Sequence, residues 1–309
     1  MSTPMNTSSN AMPDATLESQ AAVAPAQIPA GRLFYWSIRR VLWEYRSIYV
    51  APLAAAAILL SGFLISLPHH LRGVKTLDQA HTVLDTPYEL AAGLIMGTGF
   101  IVGIFYTLDA LYGERRDRSI LFWKSLPISD LITVLSKITI PLVVLPLLTF
   151  AIAVATQFAM LLLSSVALLG TGLNVPAFWS HASFFHMSLM LLYHILTVHG
   201  LWYAPLYGWL LLVSAWAPRA PFMWAFLPPF VVWGLEKIAF QTSYFLGMLQ
   251  YRLTGPEPSA AAPHGTVMET ISALTLAQFL STPGLWLGLV IAAAFLFAAV
   301  RLRRYRGPT

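Results

Sequence analysis

Residues 89–130 read ELAAGLIMGTGFIVGIFYTLDALYGERRDRSILFWKSLPISD. Through Tyr112 the stretch is predominantly apolar. From Gly113 to Asp130 it becomes an island in which seven of eighteen residues are charged, with aromatic and aliphatic residues between them. An apolar run of this length suits the ~20 residues a helix needs to cross ~30 Å of hydrocarbon. The apolar residues are continuous rather than alternating, which fits a membrane helix and not a strand of a membrane barrel.

The same pattern recurs along the chain, which is 57% hydrophobic and 10% charged, against roughly 25% charged in an ordinary soluble domain. A soluble globular fold is excluded on that balance. The absence of cysteine removes disulfides, thiolate metal sites and cysteine nucleophiles. The net charge of +5 reads as membrane orientation rather than nucleic-acid affinity, because basic residues of a membrane protein gather on its inner loops.

Residues 1–31, rich in Ala, Pro, Ser and Thr, read as a disordered tail without the basic start and apolar core of a signal peptide. Residues 32–48 read as an interfacial amphipathic helix: Phe34, Ile38, Val41, Leu42, Tyr45 and Ile48 share one face, and Arg32, Arg39, Arg40, Glu44 and Arg46 the other. The alternative is that this segment simply begins the first span. Residues 49–300 then form a domain of six transmembrane helices, and 301–309 a basic tail. The spans are expected at 49–67, ended by Pro68; 89–112, after a polar loop 68–88; 131–168, kinked at Pro141 and Pro146; 189–216, after an outer loop 170–188; 222–245, after a turn at 217–221; and 284–300.

Fourteen basic residues fall on one side of this layout and three, Arg72, Lys75 and Arg252, on the other, with Lys237 inside the membrane. That asymmetry places both termini and the island in the cytoplasm.

The four lysines, at 75, 124, 137 and 237, never follow a glycine, so the chain has no G-x-x-x-x-G-K-[ST] loop. It also lacks a G-x-S-x-G elbow and an H-E-x-x-H pair. Any work against a gradient draws on another polypeptide or on an ion gradient, and the chain is not expected to be an enzyme.

The island has the most positive character. Glu114 to Lys124 is expected to form a short surface helix, stopped by Pro127, with Ser129 as the N-cap of the third span. Its aromatics and arginines are the commonest anchors of protein interfaces. The plainer alternative is a solvated loop with Trp123 in the headgroup belt.

The stretch Glu114-Arg115-Arg116-Asp117-Arg118-Ser119-Ile120-Leu121-Phe122-Trp123-Lys124-Ser125-Leu126-Pro127-Ile128-Ser129-Asp130, with Val134-Leu135-Ser136-Lys137, resembles the permease subunits of the ABC-2 family, the membrane half of export-type ATP-binding-cassette transporters. The six-span layout and the N-terminal interfacial helix agree with the resemblance along nearly the whole chain; the motif itself is short and silent on substrate. The resemblance implies that the island is a cytoplasmic coupling helix fitting a cleft of a separate ATPase subunit. The contact would be made by Glu114, Arg115, Arg116, Asp117, Arg118, Phe122, Trp123, Lys124 and Ser125. It further implies ATP and magnesium on that partner and no cofactor in this chain. A second permease chain, the same or closely related, is expected beside it, in a bacterial cytoplasmic (inner) membrane and with no nucleic-acid partner.

Glu236 and Lys237 lie inside the fifth span, Glu236 roughly 20 Å beyond Phe222 at ~1.5 Å per residue. Charges at that depth suggest a translocation path; an interhelical ion pair or a snorkelling lysine would explain them equally well. In the resembled family the fifth span leads into short re-entrant helices, which would put this pair at their entrance. His194 and His199 are five apart, a poor spacing for one α-helical face, so hydrogen-bonded packing is expected there. His181 and His186 lie outside that span, and His69-His70 in a loop. The competing reading is a secondary carrier or channel that uses Glu236, Lys237 and the histidines without an ATPase.

Overall fold

The computed structural model describes residues 29–306 apart from 73, 75, 126–127, 170–174, 182–183 and 255–275. The described chain is helical, with no strand. Five helices are long and apolar enough to cross a membrane, and a sixth span forms if Ser188–Trp202 and Ala204–Trp216, bent by 46° at Tyr203, count as one. The expected disordered tail lies almost wholly outside the described residues, as do Pro127 and most of the polar stretch before the last span.

The amphipathic segment forms α1, Ala30–Glu44. It is shorter than the expected 32–48, because the chain breaks at Tyr45 and Arg46 and Ile48 belongs to α2, Ser47–His70. Pro68 does not end α2; it sits inside its last turns, carrying His69 and His70 with it. A proline that late removes one ladder bond and little helix remains to be distorted. The expected loop 68–88 shrinks likewise. Helix α3, Leu77–Ala110, starts where the Thr76 hydroxyl accepts a hydrogen bond from the Gln79 amide at 3.4 Å, with Asp78 in the first turn. Its 34 residues are longer than the bilayer core needs, so polar residues before Glu89 are helical.

The island is not one helix but two, α4 (Tyr112–Arg116) and α5 (Ser119–Ser125). The break falls at Asp117 and at Arg118, whose φ of 57° is left-handed, a conformation costing roughly 1–2 kcal/mol for a residue with a Cβ. Ser129 caps the next helix as expected, accepting from the Ile132 amide at 3.2 Å. Helices α6 (Asp130–Thr139) and α7 (Leu145–Leu169) make one long span through a π-helical segment, Ile140–Val144, which absorbs Pro141. The expected outer loop contains α8 (Val175–His181) and the start of α9 (Phe184–His194). Helix α9 continues as a second π-helical segment, Ile195–Trp202, into α10, Ala204–Trp216. After a left-handed Ala220, α11 spans Pro221–Phe240; the chain reverses at left-handed Gln241 and returns as α12, Tyr244–Thr254. Helices α13 (Leu276–Ser281) and α14 (Pro283–Tyr305) follow. Residues 301–305 are therefore the last turn of α14 and not a free tail.

Two groups of helices build the bundle. Helices α2, α3 and α7 pack together around Phe63, Leu84, Tyr88, Met160 and Leu161, and the Tyr88 hydroxyl meets Ser164 Oγ at 2.9 Å. Helix α10 packs along α14 and α3 around Tyr106, Leu210, Leu211 and Ala299. Gly208 allows α10 to approach α14 closely, since a Cβ there would stand 3.4 Å from the Ala292 carbonyl oxygen. Helix α11 stands apart: of its residues only Ala225 is buried.

Candidate functional site

The island and the ends of α1, α6, α10 and α14 converge at one end of the bundle, and a buried ionic network joins α4, α6 and α14. Glu114 accepts from Lys137 Nζ at 3.1 Å through one oxygen and from Arg303 Nη2 at 3.3 Å through the other. The second guanidinium branch of Arg303 pairs with Asp130, and Lys137 also donates to the Ala110 carbonyl. Two acids and two bases thus balance, and the Glu114, Lys137 and Arg303 side chains are all at most 9% exposed. Arg115 turns inward as well. Its Nη2 donates to the carbonyls of Ser214 (2.9 Å) and Ala217 (2.6 Å), the last turn and cap of α10. Cations at a helix C-terminus satisfy its orphan carbonyls and its negative dipole end. Ser214 Oγ in turn accepts the amides of Leu111 and Tyr112 at 2.9 and 3.0 Å. Arg306 donates to the Trp216 carbonyl, and Lys124 to those of Arg304 and Arg306 at 3.4 and 3.1 Å.

The expected contact residues therefore divide. Glu114 and Arg115 are spent inside the chain, whereas Arg116, Asp117, Arg118, Phe122, Lys124 and Ser125 are exposed. Phe122 is 59% exposed and its neighbour Leu121 58%. Trp123 packs edge-on against Phe122 and lies under the Arg40 guanidinium, 3.6 Å from its ring centre, so α1 braces α5. Arg116 rests near Asp117 (3.0 Å) and Asp109 (3.7 Å). Asp109 also accepts from the Tyr45 hydroxyl at 2.9 Å; burial first, and then the Asp109 carboxylate, raise the Tyr45 phenol above its ordinary pKa, keeping it the donor.

Glu236 is brought to a specific task. Its Oε1 accepts from the Thr242 hydroxyl (2.8 Å) and the Tyr244 amide (2.6 Å), and its Oε2 from the Phe245 amide (2.9 Å). It caps α12 across the α11–α12 reversal. Lys237 beside it is exposed.

Sequence reading missed an open cleft of about 490 Å³ along α3, lined on that helix by Glu89, the exposed Gly93 and Gly97, and Phe100, and opposite by His194, His199 and Tyr203. The two imidazoles do meet, with ring centres 5.9 Å apart. An α-helix would have set residues five apart on different faces; the π-helical segment, with i→i+5 bonding, sets them on one. Phe100, His199 and Tyr203 form a ring cluster at 5.2 to 6.4 Å. The signal that was present is the spacing of Glu89, Ala92, Gly93 and Gly97, a carboxylate above a small-residue stripe on one helix face. Among the described residues no group of three or more His, Asp or Glu is placed to hold a metal ion.

No protein-family model, no curated protein and no solved structure matches this chain.

Proposed function

We propose that this protein is the membrane permease subunit of an ATP-binding-cassette exporter, driven by a separate cytoplasmic ATPase that docks on α4–α5 and binds the ATP and magnesium. A second permease chain would complete the transporter, with the basic end and both termini in the cytoplasm of a bacterial inner-membrane protein. The observation that carries this reading is the two-sided build of the island. Its outer side offers Leu121, Phe122, Arg116 and Arg118, and its inner side is fixed to α6, α10 and α14 by Glu114 and Arg115. A solvated loop gains nothing from such anchoring, since isolated buried ion pairs add little net stability; a lever that must pass a push from a partner to the spans needs it. The carrier reading loses support where Glu236 is concerned, because its carboxylate is occupied as a helix cap.

The test is co-purification in mild detergent, with the ATPases of the native host co-expressed. Phe122→Ala and the double charge reversal Arg116→Glu/Arg118→Glu should abolish recovery of an ATPase and ATP-dependent transport while leaving the melting temperature unchanged. Hot-spot truncations cost about 2 kcal/mol or more, roughly thirtyfold in affinity. If no ATPase is recovered with the unaltered protein, or both variants transport normally, the proposal fails.

A further inference from the structure

We infer that the outward face of α1 is a binding surface for the headgroups of anionic phospholipids, independent of any ATPase. The apolar face of this amphipathic helix is not free to enter a membrane. Val41 is buried, and Ile38, Leu42 and Tyr45 pack with it against Val134 and Ile138 of α6 and their neighbours. What faces outward is a second pattern. Arg32, Trp36, Arg39 and Trp43 recur at intervals of four, three and four, and all four are exposed. They fall within roughly 60° of the helix circumference at 3.6 residues per turn. Trp36 is 53% exposed and Trp43 74%, and the Arg39 guanidinium stands 5.1 Å from the centre of the Trp36 ring.

Position selects the partner. Only Tyr45 and Arg46 separate α1 from α2, and Arg46 is the helical cap residue of α2. Arg46, Val50 and Leu53 therefore share one face at i, i+4 and i+7. Val50 and Leu53 are exposed apolar side chains of a helix long and apolar enough to cross a membrane, so that face meets lipid tails. Arg46, one residue before the span begins, stands at the headgroup end of the same face. The stripe on α1 leads up to this point, at the boundary where indole rings are favoured and where guanidinium groups pair with phosphate. Charge then sets the sign. Arg40 is matched by Glu44 at 3.2 Å and lies over the Trp123 ring, whereas Arg32, Arg39 and Arg46 make no ion pair among the described residues. A zwitterionic headgroup would bring its own ammonium against these three; a phosphate of net negative charge meets no such opposition.

The test uses the full chain, purified without any ATPase and stripped of lipid in detergent. Native mass spectrometry reads its adducts with phosphatidylglycerol and with phosphatidylcholine of the same acyl chains. Phosphatidylglycerol should bind at the lower concentration, and its advantage should shrink as ammonium acetate is raised. Arg39→Gln/Arg46→Gln should weaken it by roughly fivefold per arginine, with phosphatidylcholine binding and the melting temperature unchanged. Arg39→Lys/Arg46→Lys should keep most of the preference, and Trp43→Ala should weaken both lipids alike. Arg301→Gln/Arg304→Gln, which removes the same charge from the end of α14, should leave the preference in place. Equal binding of the two lipids by the unaltered chain, or an equal loss in the α14 variant, overturns the assignment. So does a stripe without lipid preference whose Arg39→Gln/Arg46→Gln variant loses a co-purifying ATPase, which would make it a protein-docking face. Because no ATPase is present in the lipid measurement, its failure leaves the co-purification test standing.

Discussion

Glu114 and Arg303 are 189 residues apart in the chain and meet at 3.3 Å in the buried core of the charged end. Each is also paired with a second partner, Lys137 for Glu114 and Asp130 for Arg303, so the contact is the middle of a four-member network. Breaking a buried pair by removing one partner costs about 3–5 kcal/mol, because the other charge is left uncompensated. Glu114→Gln is therefore expected to lower the detergent-solubilised melting temperature strongly. The double variant Glu114→Gln/Lys137→Met should recover part of that loss, and a double-mutant cycle measures the coupling.

Ser214 receives two backbone amides with one hydroxyl oxygen. Ser214→Ala leaves the buried Leu111 amide and the half-buried Tyr112 amide without that acceptor, at ~1–3 kcal/mol for the buried one, although it removes a single atom. Ser214→Thr, which keeps the oxygen, should be milder. Hydrogen exchange at Leu111 and Tyr112 reads the difference directly.

Glu236 holds the first turn of α12. With Glu236→Gln the amide group keeps only one acceptor oxygen for the three donors that the carboxylate now serves, and faster exchange is expected at Tyr244 and Phe245. Recovery of the folded protein should be near normal, because the side chain bonds a turn and not the core. Unchanged exchange with lost transport would instead favour a direct role in the path.

Gln241 adopts φ of 56° after the last turn of α11, the C-terminal position at which glycine is most often found. Gln241→Gly should raise stability by up to ~1 kcal/mol, since glycine avoids the left-handed penalty but loses more entropy on folding. A rise in melting temperature checks this.

The helical class and the approximate positions of most spans were legible in the sequence, because a span needs only length and apolarity. The Ser129 cap was legible too, since its hydroxyl bonds three residues away. What was not legible depended on partners. Polarity before Glu89 and after Val300 looked like loop, but α3 and α14 run past the apolar core, and Arg303 is buried only because Glu114 and Asp130 come to it. The inward turn of Glu114 and Arg115 has the same cause. The pairing of His194 with His199 was hidden because the α-helical wheel is the wrong wheel for a π-helical segment.

The network also has an order in time. Glu114, Asp130 and Lys137 are made long before Arg303, so while the chain is being synthesised and inserted that corner holds two acids against one base. The last helix delivers the missing positive charge and, through Arg304 and Arg306, the carbonyls that Lys124 grips. A chain interrupted before Arg303 carries an unbalanced acid at the packing surface of α6. The charged end therefore closes only when the last helix has packed beside α6 and α10.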